Sequence, residues 1–129
     1  MRPQPLIVSS SVPASSEWYQ RVLGLTSAHG GDEYERLTTA DGTLVLQLHE
    51  LDVHEHPVLF PDDGRLGAPG VALWFQTDTF DADVERIRAA GADIAEDVHV
   101  NPSAQHREIW LRDPDGYVVV VAGPAGDVG

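Results

Sequence analysis

The chain has 129 residues, enough for one domain that buries roughly two thirds of its unfolded surface. Eight Lys plus Arg stand against 21 Asp plus Glu, and the formal net charge of -13 repels phosphate backbones and anionic membranes, which argues against nucleic acid or a membrane surface as partner. No cysteine is present, so disulfides, thiol nucleophiles and cysteine metal sites are excluded.

Pro5 to Ser9 reads as a strand and Pro13 to Leu23 as a helix, with Ser15 or Ser16 near its start and Gly24 at its end. Met1 to Val12 holds only the short apolar run Leu6 to Val8, too little for a signal segment, and no stretch approaches membrane-spanning length; the expectation is a soluble, cytoplasmic protein. Tyr34 to Thr39 and Thr43 to His49 pair across the turn Ala40-Asp41-Gly42. Glu50 to Gly70 contains Pro57, Pro61 and Pro69 with Gly64, Gly67 and Gly70, breaker chemistry that marks a connection. Val71 to Gln76 is the next strand, Asp81 to Ala90 a second helix closed by Gly91, and a strand near Ala92 to Val98 leads to a loop through Pro102. A last hairpin joins Arg107 to Arg112 with Tyr117 to Val121 through Asp113-Pro114-Asp115-Gly116.

One unit is thus written twice, each copy with a helix ended by glycine and an Asp-Gly turn that opens an apolar strand. The expected organisation is a single domain, 1–129, of the α+β class: module one over about 4–49, a connecting loop 50–70 and module two over about 71–122.

Strand parity sorts side chains onto two faces. Leu44, Leu46 and Leu48 form an apolar row suited to the helix side, against Val45, Gln47 and His49. Val71, Leu73 and Phe75 stand against Ala72, Trp74 and Gln76, and Ile109 and Leu111 against Glu108, Trp110 and Arg112. The second face of three strands therefore carries two tryptophans with amides, an acid and an arginine, the lining of a pocket for an organic molecule. Gln47, His49, Gln76 and Glu108 are expected to orient such a ligand, Trp74 and Trp110 to stack on it, and Phe60 in the connecting loop to close the mouth. Arg112 is expected either to reach a carbonyl or carboxylate or, in preference, to neutralise Glu108.

Ser15-Ser16-Glu17-Trp18-Tyr19 with Val22-Leu23-Gly24-Leu25, and Trp110-Leu111-Arg112-Asp113-Pro114-Asp115-Gly116-Tyr117, resemble the vicinal oxygen chelate superfamily, also called the glyoxalase/bleomycin resistance/dioxygenase family. The resemblance spans nearly the whole chain and implies tandem βαβββ modules whose mixed sheet curls into an open cup with helices outside, commonly in a homodimer. In metal-dependent members each module supplies two ligands, His or Gln, Glu, His and Glu. The corresponding positions here are Gln4, Gln47, Ala72 and Val120, of which Gln4 alone matches. Ala72 and Val120 have no donor atom, so no metal and no cofactor is expected.

Elsewhere, His54 and His56 would share a face of an extended segment, with His49, Glu50 and Glu55 near in sequence, but a proline-bracketed linker is a poor scaffold for coordination. His29, His99 and His106 read as isolated histidines, His106 leading into the Trp110 strand. Ser9, Ser10 and Ser11 have no evident His and Asp partners. The favoured function is a metal-free binding protein that sequesters an aromatic or cationic natural product, closest in character to the antibiotic-binding, bleomycin resistance-like branch. The alternative is an enzyme of the glyoxalase/dioxygenase type, either metal-dependent or metal-free with Glu108 and His49 as acid and base.

Overall fold

The structure, a computed structural model, describes residues 1–51, 56–67 and 69–129. His54 and Glu55 of the candidate histidine cluster lie outside the described residues. Two compact units divide the chain, Met1–Leu66 and Gly67–Gly129. Each has the order βαβββ.

In the first unit, β1 (Leu6–Ser9) leads into α1 (Val12–Leu23), followed by β2 (Thr26–Ser27), β3 (Tyr34–Thr38) and β4 (Leu44–Glu50). The sheet order is β1-β4-β3-β2, with β1 parallel to β4 and the rest antiparallel. Ser11 caps α1, accepting from the Ala14 amide at 3.3 Å. Ser15 and Ser16, expected near the helix start, lie inside it and are buried. There Ser15 meets Ser9, hydroxyl to hydroxyl at 2.6 Å, and Ser16 donates to Glu35 at 2.8 Å, so the two hydroxyls tie the helix to the sheet below. The edge strand β2 is too short to announce itself in a sequence.

The leucine row behaves as parity requires. Leu46 pairs with Leu37, Leu48 with Glu35, and all four side chains are buried beneath α1. Each of the three leucines contributes about 1.5 to 3 kcal/mol by leaving water. Val12, Tyr19 and Val22 cover them from the helix, and Trp18 packs edge-on against Tyr19 at 4.9 Å.

A short 3-10 turn at Pro57–Leu59 precedes the second unit. That unit contains β5 (Ala72–Gln76), α2 (Phe80–Ala89), β6 (Asp93–Asn101), β7 (His106–Arg112) and β8 (Val118–Ala122), in the sheet order β5-β8-β7-β6. Here β5 runs parallel to β8. Leu73, Ile109, Leu111, Val119 and Val121 fill the helix side with Phe80 and Ile87. Arg107 clamps this side, bridging Asp81 of α2 at 2.7 Å and Asp127 of the C-terminal segment at 3.1 Å, with its guanidinium over the Phe80 ring.

The repeat seen in the sequence recurs in the backbone. Gly24 and Gly91 follow the two helices at φ of 70° and 67°, and Gly42 and Gly116 close the two Asp-Gly turns, both at 88°. A side chain is strained at such angles, which is why glycine holds all four positions. In the first turn the Asp41 carboxylate accepts from Thr39 and from the Thr43 amide, which draws its pKa down to about 2. In the second, Asp113 accepts from the Asp115 and Tyr117 amides. Among the described residues no helix is long and apolar enough to cross a membrane.

Candidate functional site

The open face of the second unit, opposite α2, is ruled by strand register. Ala72 pairs with Val118 and Val118 with Arg112; Trp74 pairs with Val120 and Val120 with Trp110; Gln76 pairs with Ala122 and Ala122 with Glu108. Three rungs of side chains therefore lie side by side on one surface. Trp74 and Trp110 straddle the fully buried Val120 and meet edge to face, with ring centroids 6.1 Å apart and planes at 87°. Trp74 remains 46% exposed. Perpendicular indoles cannot both lie flat on one planar ring, as the expectation that both stack on the ligand would need.

A cleft of about 520 Å³ opens beside Trp110. One wall is Gly67, Pro69, Gly70 and Val71 of the segment entering β5, and the floor is Ala72, Val118, Trp110 and Arg112. Trp74 buttresses Trp110 from the far side without lining this cleft. The wall sits close because Gly67 has no side chain: a Cβ there would lie 2.6 Å from the Gly116 carbonyl carbon and 2.7 Å from its oxygen. Arg112 donates from Nη1 to the same Gly116 oxygen at 2.9 Å. The expected neutralisation of Glu108 by Arg112 does not occur, since Arg112 and Glu108 sit two rungs apart and the arginine turns toward the Asp113–Gly116 turn.

Glu108 is neutralised instead by residues that sequence reading left isolated. Its side chain is almost wholly buried and accepts from His99 Nε2 at 3.0 Å, His106 Nε2 at 2.9 Å and the Trp110 indole N–H at 2.9 Å, with the Asn101 amide at 3.3 Å. Burial pushes this carboxyl up, but the bonds from Trp110, His106, Asn101 and His99 prevail and hold it below the ordinary carboxylate range. His99 also places Nδ1 2.8 Å from the Asp97 carbonyl oxygen. With an acceptor at each ring nitrogen the ring favours the doubly protonated form, and the Asp97 carbonyl first, then Glu108, raise its pKa despite partial burial. His106 packs its ring 5.8 Å from Trp74.

Sequence reading missed this cluster because it ended the strand near Val98. The strand β6 runs on to Asn101, which places His99 opposite Glu108 and Asn101 opposite His106. The signal lay in Asn101 itself: its side chain accepts from the Ser103 and Ala104 amides and starts a tight turn rather than a loop.

The remaining candidates belong to the first unit. Gln47 donates from Nε2 to the Gln4 carbonyl at 2.9 Å and accepts from the Tyr34 hydroxyl at 2.5 Å, so its amide is committed within that unit. His49 is buried, with Nδ1 2.9 Å from the Glu50 carbonyl oxygen and its ring 5.9 Å from His56. Phe60 ends the 3-10 turn, its amide bonded to Pro57. Gln76 is exposed on the open face of the second unit. Sequence reading also passed over Glu35, a buried carboxylate that accepts from Ser16, Ser27 and the amides of His29, Gly30 and Arg36. It pins the 27–31 loop under α1, a structural duty.

The sequence matches the Glyoxalase/Bleomycin resistance protein/Dioxygenase superfamily over residues 3–121. The chain belongs to this superfamily. A protein of unknown function from Agrobacterium tumefaciens str. C58 shares its fold at 20% identity and a TM-score of 0.76, over 95% of this chain and 94% of that one. TioX from Micromonospora sp. ML1 is similar at 17% identity and a TM-score of 0.70, over 95% and 98%. A glyoxalase/dioxygenase from Nostoc punctiforme is similar at 21% identity and a TM-score of 0.70, over 95% and 90%. Identities this low establish a shared fold and nothing finer. No protein of curated function matches the chain.

The donor set does not fit the metal that many vicinal oxygen chelate members hold. Ala72 and Val120, at two ligand positions, offer only methyl groups to the open face, and Val120 is sealed between the tryptophans. At the other two, Gln4 is exposed and the Gln47 amide is already engaged. Among the described residues no group of three or more His, Cys, Asp or Glu side chains is placed to share an ion.

Proposed function

We propose that the protein binds an aromatic small molecule of the natural-product kind and releases it unchanged, a sequestering role of the bleomycin resistance type. One observation carries the reading: where metal-dependent relatives present ligands, this face presents Ala72 and Val120 beside an indole-floored cleft of about 520 Å³. That volume suits a drug-sized ligand, and the floor is apolar with few polar groups, the usual character of a small-molecule site. Trp110 offers the ring contact, and the perpendicular Trp74 indole beside it fixes its tilt. Glu108 acts through Trp110, holding the indole N–H, because its own oxygens are filled by neighbours.

The test is a titration of polycyclic and thiazole-like aromatics against tryptophan fluorescence, with the bound compound recovered and weighed by mass spectrometry. Binding should quench emission and return the compound intact. Trp110→Ala should weaken binding by roughly 1 to 3 kcal/mol, and Trp74→Ala by less, since it touches the ligand site through its neighbour. Unchanged affinity in both folded variants would remove the cleft from consideration.

A metal-free enzyme is the second reading, and the Glu108–His99–His106 cluster favours it, since paired acid and imidazole groups can move protons. The burial of Glu108, whose oxygens are already bonded, argues for positioning instead. A ligand recovered with altered mass would decide for catalysis.

A further inference from the structure

We infer that the ligand of this cleft carries an anionic oxygen group, of the aryl carboxylate class, and that Arg112 reads it. The inference rests on the aromatic cleft proposed above and adds the charge of its occupant. Every basic residue other than histidine in this chain is an arginine. Four are consumed by carboxylates: Arg21 by Glu17, Arg86 by Asp83, Arg88 by Asp97, and Arg107 by Asp81 and Asp127. Of the other four, Arg2, Arg36, Arg65 and Arg112, it is Arg112 that lines the cleft. It is exposed, and its bonding partner among the described residues is the neutral Gly116 carbonyl, in a chain where 21 acids face eight bases.

Asp93, which faces Arg112 across the sheet on β6, is exposed and forms no ion pair with it among the described residues. Asp113 is buried and accepts amide bonds of its own turn, and Glu108 is enclosed by two histidines and an indole. A guanidinium has five N–H donors in a rigid fork that matches two carboxylate oxygens, and the bond to Gly116 uses one donor and fixes the plane. The wall lies close to that oxygen, since a Cβ at Gly67 would sit 2.7 Å from it.

Distance sets the ligand's shape. Arg112 and Trp110 share a face two residues apart, about 7 Å along the strand, so a carboxylate on, or a bond or two from, a ring lying against Trp110 comes within reach of the fork. The net charge of -13 opposes anions at long range, but at physiological salt such fields fade over roughly 8 Å while the arginine contact is local.

Three probes of one shape test this: 2-naphthoate, 2-naphthalenemethanol and 2-naphthylmethylammonium, titrated by tryptophan quenching into wild type, Arg112→Gln and Arg112→Lys. Wild type should bind the carboxylate about tenfold more tightly than the alcohol, with the margin shrinking as salt rises. Arg112→Gln should lose that margin, the carboxylate falling to about the alcohol's affinity in the same variant, and Arg112→Lys should restore part of it. Equal binding of carboxylate and alcohol, tighter binding of the ammonium, or a preference that survives in Arg112→Gln overturns the inference while the aromatic reading stands. If no naphthyl probe binds, the aromatic reading fails and takes the inference with it.

Discussion

Replacing Glu108 with glutamine keeps the side chain's shape and removes the charge that its neighbours share. The indole of Trp110 and the ring of His106, both at 2.9 Å, are the well-formed partners; a hydrogen bond to a charged group contributes about 1.5 to 3 kcal/mol and a neutral one about 1, so removing the charge costs about 1 to 2 kcal/mol per bond. His99 is 38% exposed, so solvent reduces its share to a few tenths of a kcal/mol, and Asn101 at 3.3 Å adds little. A cost of about 2 to 4 kcal/mol follows, or a fall in Tm on the order of 10 °C for a chain of this length. The cost should vary with pH. His99 has a raised pKa in the fold, so its contribution is full below the ordinary value of 6.5 and is lost as pH rises through the raised value. Glu108 has a lowered pKa, so its contribution is present above 4.5 and is lost as pH falls through the lower value. Between those limits both are charged. Urea unfolding followed by circular dichroism at pH 5.5 and pH 8.5 should therefore show a larger gap between wild type and variant at pH 5.5. A gap below about 0.5 kcal/mol at both pH values, or one no larger at pH 5.5, refutes the view that Glu108 is held as a charged hub.

Gly67→Ala should be destabilising by about 2 kcal/mol or more, because a left-handed φ of 72° strains alanine and its Cβ would press on the Gly116 carbonyl. Chemical denaturation measures this, and wild-type stability would show that the cleft wall is not seated there. The purified protein should also hold no stoichiometric Zn, Fe, Ni or Mn by elemental analysis, given Ala72 and Val120 at ligand positions. About one equivalent per chain, lost on mutating Gln4 or Gln47, would contradict that donor-set argument.

Much of the fold was legible because its signals are local. Glycine after each helix and Asp-Gly before each last strand are demands of single backbone angles, and a chain that writes them twice announces two similar modules. Alternation in Leu44 to His49 and Arg107 to Arg112 likewise set Leu46, Leu48, Ile109 and Leu111 on the helix side, since the period of a strand is two whatever lies beside it, but it did not show that His49 and Glu108 of the other row are buried as well. The first helix begins within one residue of its expected start, but its cap is Ser11 and not Ser15 or Ser16, since all three suit a cap by residue type. Only packing shows that Ser15 and Ser16 face the sheet.

For the candidate site, sequence by itself determined that Trp74, Gln76, Glu108, Trp110 and Arg112 share a face, and that two ligand positions of the family lack donor atoms. Tertiary structure decided which of them meet. That His99 meets Glu108 depends on the register of β6 against its hairpin partner β7, and that the two indoles stand perpendicular depends on β5 and β7 flanking β8, while Arg112 reaches Gly116 within its own turn. Register is fixed by side-chain packing and turn length across the sheet, and a shift of one residue would send every partner to the other face. Residue types can therefore nominate a site, but the pairing that gives each group its charge state and its neighbour is settled by the register of one strand against the next.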